Sequence, residues 1–325
     1  MAASIGPSGT LVGAFWRNMG GQTDVGVETV GLALVYISFG LRIWSRNIQR
    51  ARYQLNDWLI VVATILMTVR YALEVTVVLK CGVGLHVGEV IETAGPNVIT
   101  YFLLLLYIID LLFTTIITLV KLSILHFYTT IFRQQRFRHI CYAMMGLCVA
   151  FWIATFFATA FFCTPVQKKW FLDAVPGHCG NDIALYLSVA ISDFVIDIII
   201  ISLPLPILWG LQLPVAKKVA LTIVFSLGLG IIIITSVRLK YFLALDPLDI
   251  TFSIWQAGVL SAIVPLLGIV NANLPVMQPA LKKCFGSLKM LSTINKSVNT
   301  SSSGTRHFER IPESEIPLNK INASK

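Results

Sequence analysis

The chain has 325 residues, of which 56% are hydrophobic and only 13% charged, and it carries a formal net charge of +9. A soluble domain is nearer a quarter charged, so this balance excludes an ordinary water-soluble enzyme or binding module and points to the membrane. The positive excess does not indicate nucleic acid. Its basic residues fall in short clusters between apolar blocks, where they act as topology signals and as contacts to anionic lipid headgroups.

Residues 1–24 form a short tail, rich in Gly, Ser and Ala, with no apolar core; the first apolar run is therefore expected to start insertion. About 20 apolar residues of helix span a bilayer. Seven runs reach that length, near 25–44, 57–79, 99–127, 140–163, 183–210, 219–243 and 252–281. Continuous stretches such as "LIVVATILM" lack the alternation of a membrane barrel, and only helices or closed barrels satisfy their backbone in lipid. The reading is an all-α, seven-helix membrane domain over 25–285, a multi-pass integral protein whose first partner is the bilayer itself.

The second run carries Arg70 and Glu74, one helical turn apart, and is followed by the turn "GVGLH" ending in His86. His86 with Glu89 reads as a capped loop segment rather than a metal site, because no second histidine has ligand spacing. The third run holds Asp110 and, toward its far end, Lys121. Cys163 closes the fourth, and Cys179 follows in the next loop. A disulfide is expected among Cys81, Cys163 and Cys179, with Cys163–Cys179 and Cys81–Cys179 both open. The fifth run, "ISDFVIDIIIISLPLP", sets Asp193 and Asp197 on one face, and Pro204 and Pro206 kink or end it. Arg238 lies in the sixth, and Pro265 kinks the seventh. From residue 286 to 325 the chain turns polar and is expected to be disordered; it includes sequons at Asn295, Asn299 and Asn322.

Orientation follows from basic residues in the loops. Arg46, Arg50, Arg52, Arg133, Arg136, Arg138, Lys217, Lys218, Lys282, Lys283 and Lys289 share one side, against Arg17, Lys80, Lys168, Lys169 and Lys240 on the other. The N-terminus is thus expected outside and the C-terminus in the cytosol, where the sequons would stay unmodified.

Charges inside spans are expensive and usually face a bundle interior or a water-filled cavity. Arg70, Glu74, Asp110, Asp193 and Arg238 are expected in the outer half and Asp197 nearer the centre, with their opposite signs meeting in one buried network. There Arg70 and Arg238 would serve as basic partners of the two aspartates. Two roles are open to such a network: lining a ligand cavity, or fixing the packing of the helices. No catalytic set and no metal centre stands out in the sequence.

The landmarks "NDWLIVVA", "GVGLH", "KLSILHFYTTIF", "FFCTPVQKKW", "SDFVIDIIIISLPLPILWGLQLPVAKK", "FSLGLGIIIITSVRL" and "GIVNANLPVMQPALKK" occur in this order. Together they resemble the fungal rhodopsin-like integral membrane domain family, to which the satratoxin-cluster membrane protein belongs. The resemblance covers about residues 30 to 284 and marks Asp57, His86, Lys121, Cys163, Trp170, Cys179, Asp193, Pro204, Pro206 and Arg238 as family-motif positions. One departure stands out: Val264, followed by Pro265, occupies a place in the seventh span where the family pattern has an acidic residue. The resemblance implies an accessory role in fungal secondary metabolism.

Retinal is not expected, because 252–281 contains no lysine to form the Schiff base. The functional expectation is a non-photoactive sensor or accessory component with a small apolar ligand, and with a cytosolic signalling partner left unspecified. An enzyme is the less favoured class. Its form would be an isoprenoid-type cyclase using Asp193 or Asp197 as buried acid; a small-molecule transporter is the further alternative.

Overall fold

The computed structural model describes residues 11–132, 134–171, 175–206, 215–244 and 249–300. Two compact units divide the chain, residues 1–281 and 282–325. The first contains the bundle. Its long helices are α1 (Met19–Gln49), α2 (Leu55–Cys81), α4 (Asn97–Ile131), α5 (Gln135–Ala160), α7 (Asp182–Ser202), α8 (Val215–Leu243) and α10 (Trp255–Thr300), the last belonging to this unit over residues 255–281. Between them lie the short helices α3 (Val87–Ala94), α6 (Lys168–Phe171) and α9 (Ile250–Ser253), and a 3-10 turn over Leu11–Arg17 precedes α1. Seven helices among the described residues are long and apolar enough to cross a membrane.

Helix boundaries follow from local chemistry. Asn18 caps α1, its Oδ1 accepting from the Gly21 amide at 2.8 Å while its Nδ2 donates to the Val83 carbonyl at 2.6 Å. Capping satisfies an otherwise orphan amide. It starts α1 at Met19, ahead of the apolar run at 25 that marked the span in the sequence. Asp57 accepts from the Gln54 amide at 2.8 Å at the start of α2. Helix α7 closes at Ser202, just before Pro204 and Pro206, neither of which can donate a helical hydrogen bond. Helical backbone continues to Thr300, so the first part of the polar tail, with Asn295 and Asn299, is helical where disorder was expected. Asn322, Arg133 and everything after residue 300 lie outside the described residues.

The bundle buries charges within its core and exposes apolar stripes. Val30, Leu34 and Ile37 on α1, and Trp58, Val62, Ile65 and Val69 on α2, are exposed large hydrophobics at helical spacing. By contrast Glu28, Arg42, Asp57, Arg70, Glu74 and Lys121 are buried. A protein in water would reverse this, whereas lipid accepts the apolar stripes. One core layer packs Leu32, Val35, Ile60, Met67, Ile116 and Ile269 between α1, α2, α4 and α10. Another packs Leu125, Tyr128, Cys141, Cys148, Ile196 and Ile200 between α4, α5 and α7. Helix α4 belongs to both.

At one end of the bundle Cys163 and Cys179 form a disulfide across the two short antiparallel strands β1 (Cys163–Thr164) and β2 (His178–Cys179). Cys81 is buried and free, which settles the pairing left open in the sequence. The "GVGLH" turn sits at the same end as the start of α1. Gly84 has φ +96°, and a Cβ there would run into Asn18 Oδ1.

Candidate functional site

The six intramembrane charges part into two sets. Asp193 and Asp197 leave the expected network, while Asp110 stays within electrostatic reach of Arg238, Arg70 and Glu74, and residues outside the expected six complete both sets.

Asp193 and Asp197 share a face of α7, as their spacing required, but their partner is Lys121 on α4. Lys121 Nζ lies 2.6 Å from Asp193 Oδ1 and 3.1 Å from Asp197 Oδ1, with the lysine side chain buried. This corrects the expected partners. The i, i+4 pattern fixes which side chains share a face, while the helix on which that face docks depends on how α7 is turned in the bundle. Here it turns toward α4, where Asp193 lies level with Lys121.

Arg70 turns the other way, toward α1. Its Nη1 donates to Glu28 Oε1 at 2.6 Å, and Nη2 stands 3.6 Å from Glu74 Oε2. Arg238 pairs with neither aspartate of α7. Its guanidinium lies over the rings of Phe113, at 4.4 Å, and Tyr186, at 5.3 Å, a cation–π seat within electrostatic reach of Asp110.

A further set, absent from the expected network, ties α1, α2 and α10 together at the end opposite the disulfide. Arg42 Nη2 is 2.7 Å from Asp57 Oδ1, and Arg46 Nη2 is 3.1 Å from Asp57 Oδ2. Arg42 Nη1 also donates to the Ala272 carbonyl at 3.0 Å and to Asn273 Oδ1 at 3.1 Å, while Asn273 Nδ2 donates to Ser38 Oγ at 2.9 Å. Asp57 and the asparagine of "NANLP", both family-motif features, thus meet in one buried constellation. Its missing member in the sequence reading, Arg42, sat in plain view as a charge inside the first apolar run. Glu28 carried the same signal.

The motif positions Trp170 and His86 lie near the disulfide end. Trp170 packs against Tyr107 with ring centroids 5.7 Å apart. His86 pairs with Asp249 and stacks on Phe252 at 4.3 Å, and Asp249 Oδ1 accepts from the Val87 amide at 2.9 Å. Partial burial pushes the Asp249 carboxyl up, but the Val87 amide and His86 outweigh this and hold it below its ordinary value. Glu89 pairs with Arg17 at 3.2 Å, so His86 and Glu89 do not share a ligand. Val264, the departure from the family pattern, is buried in the core.

The Lys121 group has a cavity beside it. A space of about 60 Å³ opens between α4, α7, α8 and α10, lined by Lys121 and Asp197 at its polar end and by Ile124, Ile200, Val224 and Phe225 along its walls. Asn271 also lines it, and Asn271 Oδ1 has no hydrogen-bonding partner among the described residues. A buried acceptor without a donor invites one from a guest. Chemically, this is an apolar slot with an ammonium, a carboxylate and an amide at its polar positions.

Apolar stripes outside, ion pairs inside and seven spanning helices define a multi-pass helical membrane protein with a polar seam through its core. The chain belongs to the fungal rhodopsin domain family, whose model matches residues 41–283. It is 26% identical over 261 residues to a polyenoic acids biosynthesis gene cluster protein of Metarhizium anisopliae, covering 77% of this chain and 71% of that one. A SAT4 family membrane protein of Emericella nidulans is 26% identical over 68% of this chain and 57% of its own length. Wortmanamides biosynthesis cluster protein C of Talaromyces wortmannii is 31% identical over 37% of this chain and 33% of its own. No solved structure matches.

Proposed function

We propose that this protein senses, or serves as an accessory in handling, a small apolar molecule of fungal secondary metabolism. The slot beside Lys121 would be its seat. The observation that carries the reading is the slot's composition: aliphatic walls leading to Lys121, Asp197 and the unpartnered Asn271 Oδ1. Cavities of about 150 Å³ take a benzene ring. At about 60 Å³ this one suits a slender chain end rather than a ring system. Two relatives bear names that place them in biosynthetic gene clusters, one for polyenoic acids and one for wortmanamides, which supports the secondary-metabolism setting.

The reading includes no retinal, since Trp255–Met277 has no lysine. It also differs from the cyclase alternative, which needs Asp193 or Asp197 as a free acid. Each of these carboxylates is engaged by Lys121.

The test is a thermal-shift titration of the purified protein with linear polyunsaturated acids and amides. Saturable stabilisation is expected in the wild type and is lost in Val224→Phe, which fills the slot. A wild type that none of these chains stabilises would remove the proposal's support. Metabolite profiling after gene deletion separates the enzyme class, which predicts an accumulated uncyclised precursor.

A further inference from the structure

Asp24 and Glu28 of α1 and Glu74 of α2 converge on one buried point near the disulfide end of the bundle. All three are buried, and one carboxylate oxygen from each lies within 4.8 Å of the other two. Arg70 engages Glu28 Oε1 at 2.6 Å and stands 3.6 Å from Glu74 Oε2. Three ionised carboxylates against one guanidinium leave two negative charges in excess. Asp24 is wholly buried, and neither of its oxygens has a hydrogen-bonding partner among the described residues. The same is true of Glu28 Oε2 and Glu74 Oε2. Removing a carboxylate from water without a partner is among the costliest things a fold can do. Here one carboxylate oxygen of each residue is gathered at a single spot, where one guest would draw on all three.

We propose that Asp24, Glu28 and Glu74 form a binding site for a hard divalent cation, with calcium the best fit. Two positive charges cancel the excess of two negative ones. Oxygen ligands alone, with no sulfur or imidazole among them, select the hard cations. Calcium bonds oxygen at about 2.3–2.6 Å, so oxygens up to 4.8 Å apart can face each other across it, whereas magnesium demands a tighter octahedron. With both oxygens free, Asp24 can bind through the pair. Arg70 is not a ligand; by holding Glu28 Oε1 it aims Oε2 at the ion. Asp24 lies about 8 Å along α1 from its first residue, at about 1.5 Å per residue, so the ion enters from the nearby bundle end. The site shares no residue with the slot at Lys121, and its fate in experiment is independent of the proposed function.

The experiment uses the full-length protein in detergent micelles, stripped with chelator and titrated with radioactive calcium chloride, alongside thermal unfolding with and without the ion. Saturable uptake of one calcium per chain is expected, with a rise in unfolding temperature that magnesium chloride reproduces only weakly. Asp24→Asn, which keeps the side chain's shape, should weaken uptake by at least about 10-fold. Glu28→Gln serves as a second variant should the first not fold. If the folded wild type takes up no calcium at millimolar concentration, its carboxylates hold protons instead and the proposal falls, whatever the variants do. Uptake unchanged in a folded Asp24→Asn or Glu28→Gln protein would overturn it equally.

Discussion

Lys121 and Asp193 meet at 2.6 Å between α4 and α7, and the same ammonium reaches Asp197 at 3.1 Å. The pair joins the helix shared by both core layers to a helix with few buried side chains of its own, Ile196 and Ile200. This ion pair is therefore the main polar tie holding α7 in place, and the slot proposed for ligand has it as one wall.

Breaking that tie from the lysine side strands two carboxylates. Lys121→Met should cost about 3–5 kcal/mol, the usual penalty for an uncompensated buried charge. Replacing all three, as Lys121→Met with Asp193→Asn and Asp197→Asn, should recover most of it. Folded yield and unfolding temperature of the detergent-solubilised variants check this. Equal losses in the single and triple variants would mean that the helices meet by apolar packing alone.

A comparable penalty, about 3 kcal/mol, is expected when Arg42→Gln or Asp57→Asn opens the constellation between α1, α2 and α10. The two residues act as a unit, so the double variant should lose little more than either single one. Additive losses would show that Arg42 earns its place through the Ala272 carbonyl and Asn273 rather than through Asp57.

How much of this was legible in the sequence depends on the kind of interaction. The seven spans were, because a helix crossing lipid demands a long, mostly apolar run. That Asp193 and Asp197 share a face was also legible, since helical geometry fixes it. Their partner was not: a helix can present the same face to any neighbour, and the expected partners Arg70 and Arg238 are as basic as Lys121. Asp24 was hidden for a different reason. The residues around it, "MGGQTDVG", look like a polar tail, and only the Asn18 cap, anchored on Val83 far along the chain, makes them helix.

That anchor gives a prediction at Gly84. Its φ of +96° is a backbone state L side chains rarely adopt, and a Cβ would collide with Asn18 Oδ1. Gly84→Ala should therefore destabilise the turn by about 1–3 kcal/mol. Hydrogen exchange at the Gly21 amide, which Asn18 Oδ1 accepts, should quicken as the cap loosens. Unchanged protection at that amide would detach the turn from the start of α1.

On the neighbouring loop, the contact of Asp249 with Val87 and His86 should depend on pH. The Asp249 carboxyl is held below its ordinary value in the folded protein, so its contribution is complete above the unfolded value near 4. It disappears as pH falls through the lowered folded value, with folding losing stability in the acid direction. Amide exchange at Val87 should accelerate below about pH 4. Asp249→Asn should show that faster exchange at neutral pH, with no further acid response from this contact. An acid response of the same size in Asp249→Asn would assign it to another group.

The disulfide end and the basic end of the bundle lie opposite one another, and two independent arguments orient them. Disulfides persist where the medium is oxidising, which sets Cys163–Cys179 on the extracytoplasmic side. Arginine and lysine collect on the cytosolic side, which sets Arg46, Arg50 and Arg52 opposite. On both grounds we propose an N-terminus outside and a C-terminus in the cytosol. A membrane-impermeant maleimide applied to sealed vesicles with the extracytoplasmic face outward should then label Cys163 and Cys179 only after reduction. Asn295 and Asn299 should carry no glycan, because a cytosolic segment never meets the transferase. A glycosidase-sensitive mobility shift abolished by Asn295→Gln and Asn299→Gln would invert the topology. It would also leave the basic clusters facing the wrong way, so these two asparagines and the two cysteines test the same axis from opposite ends.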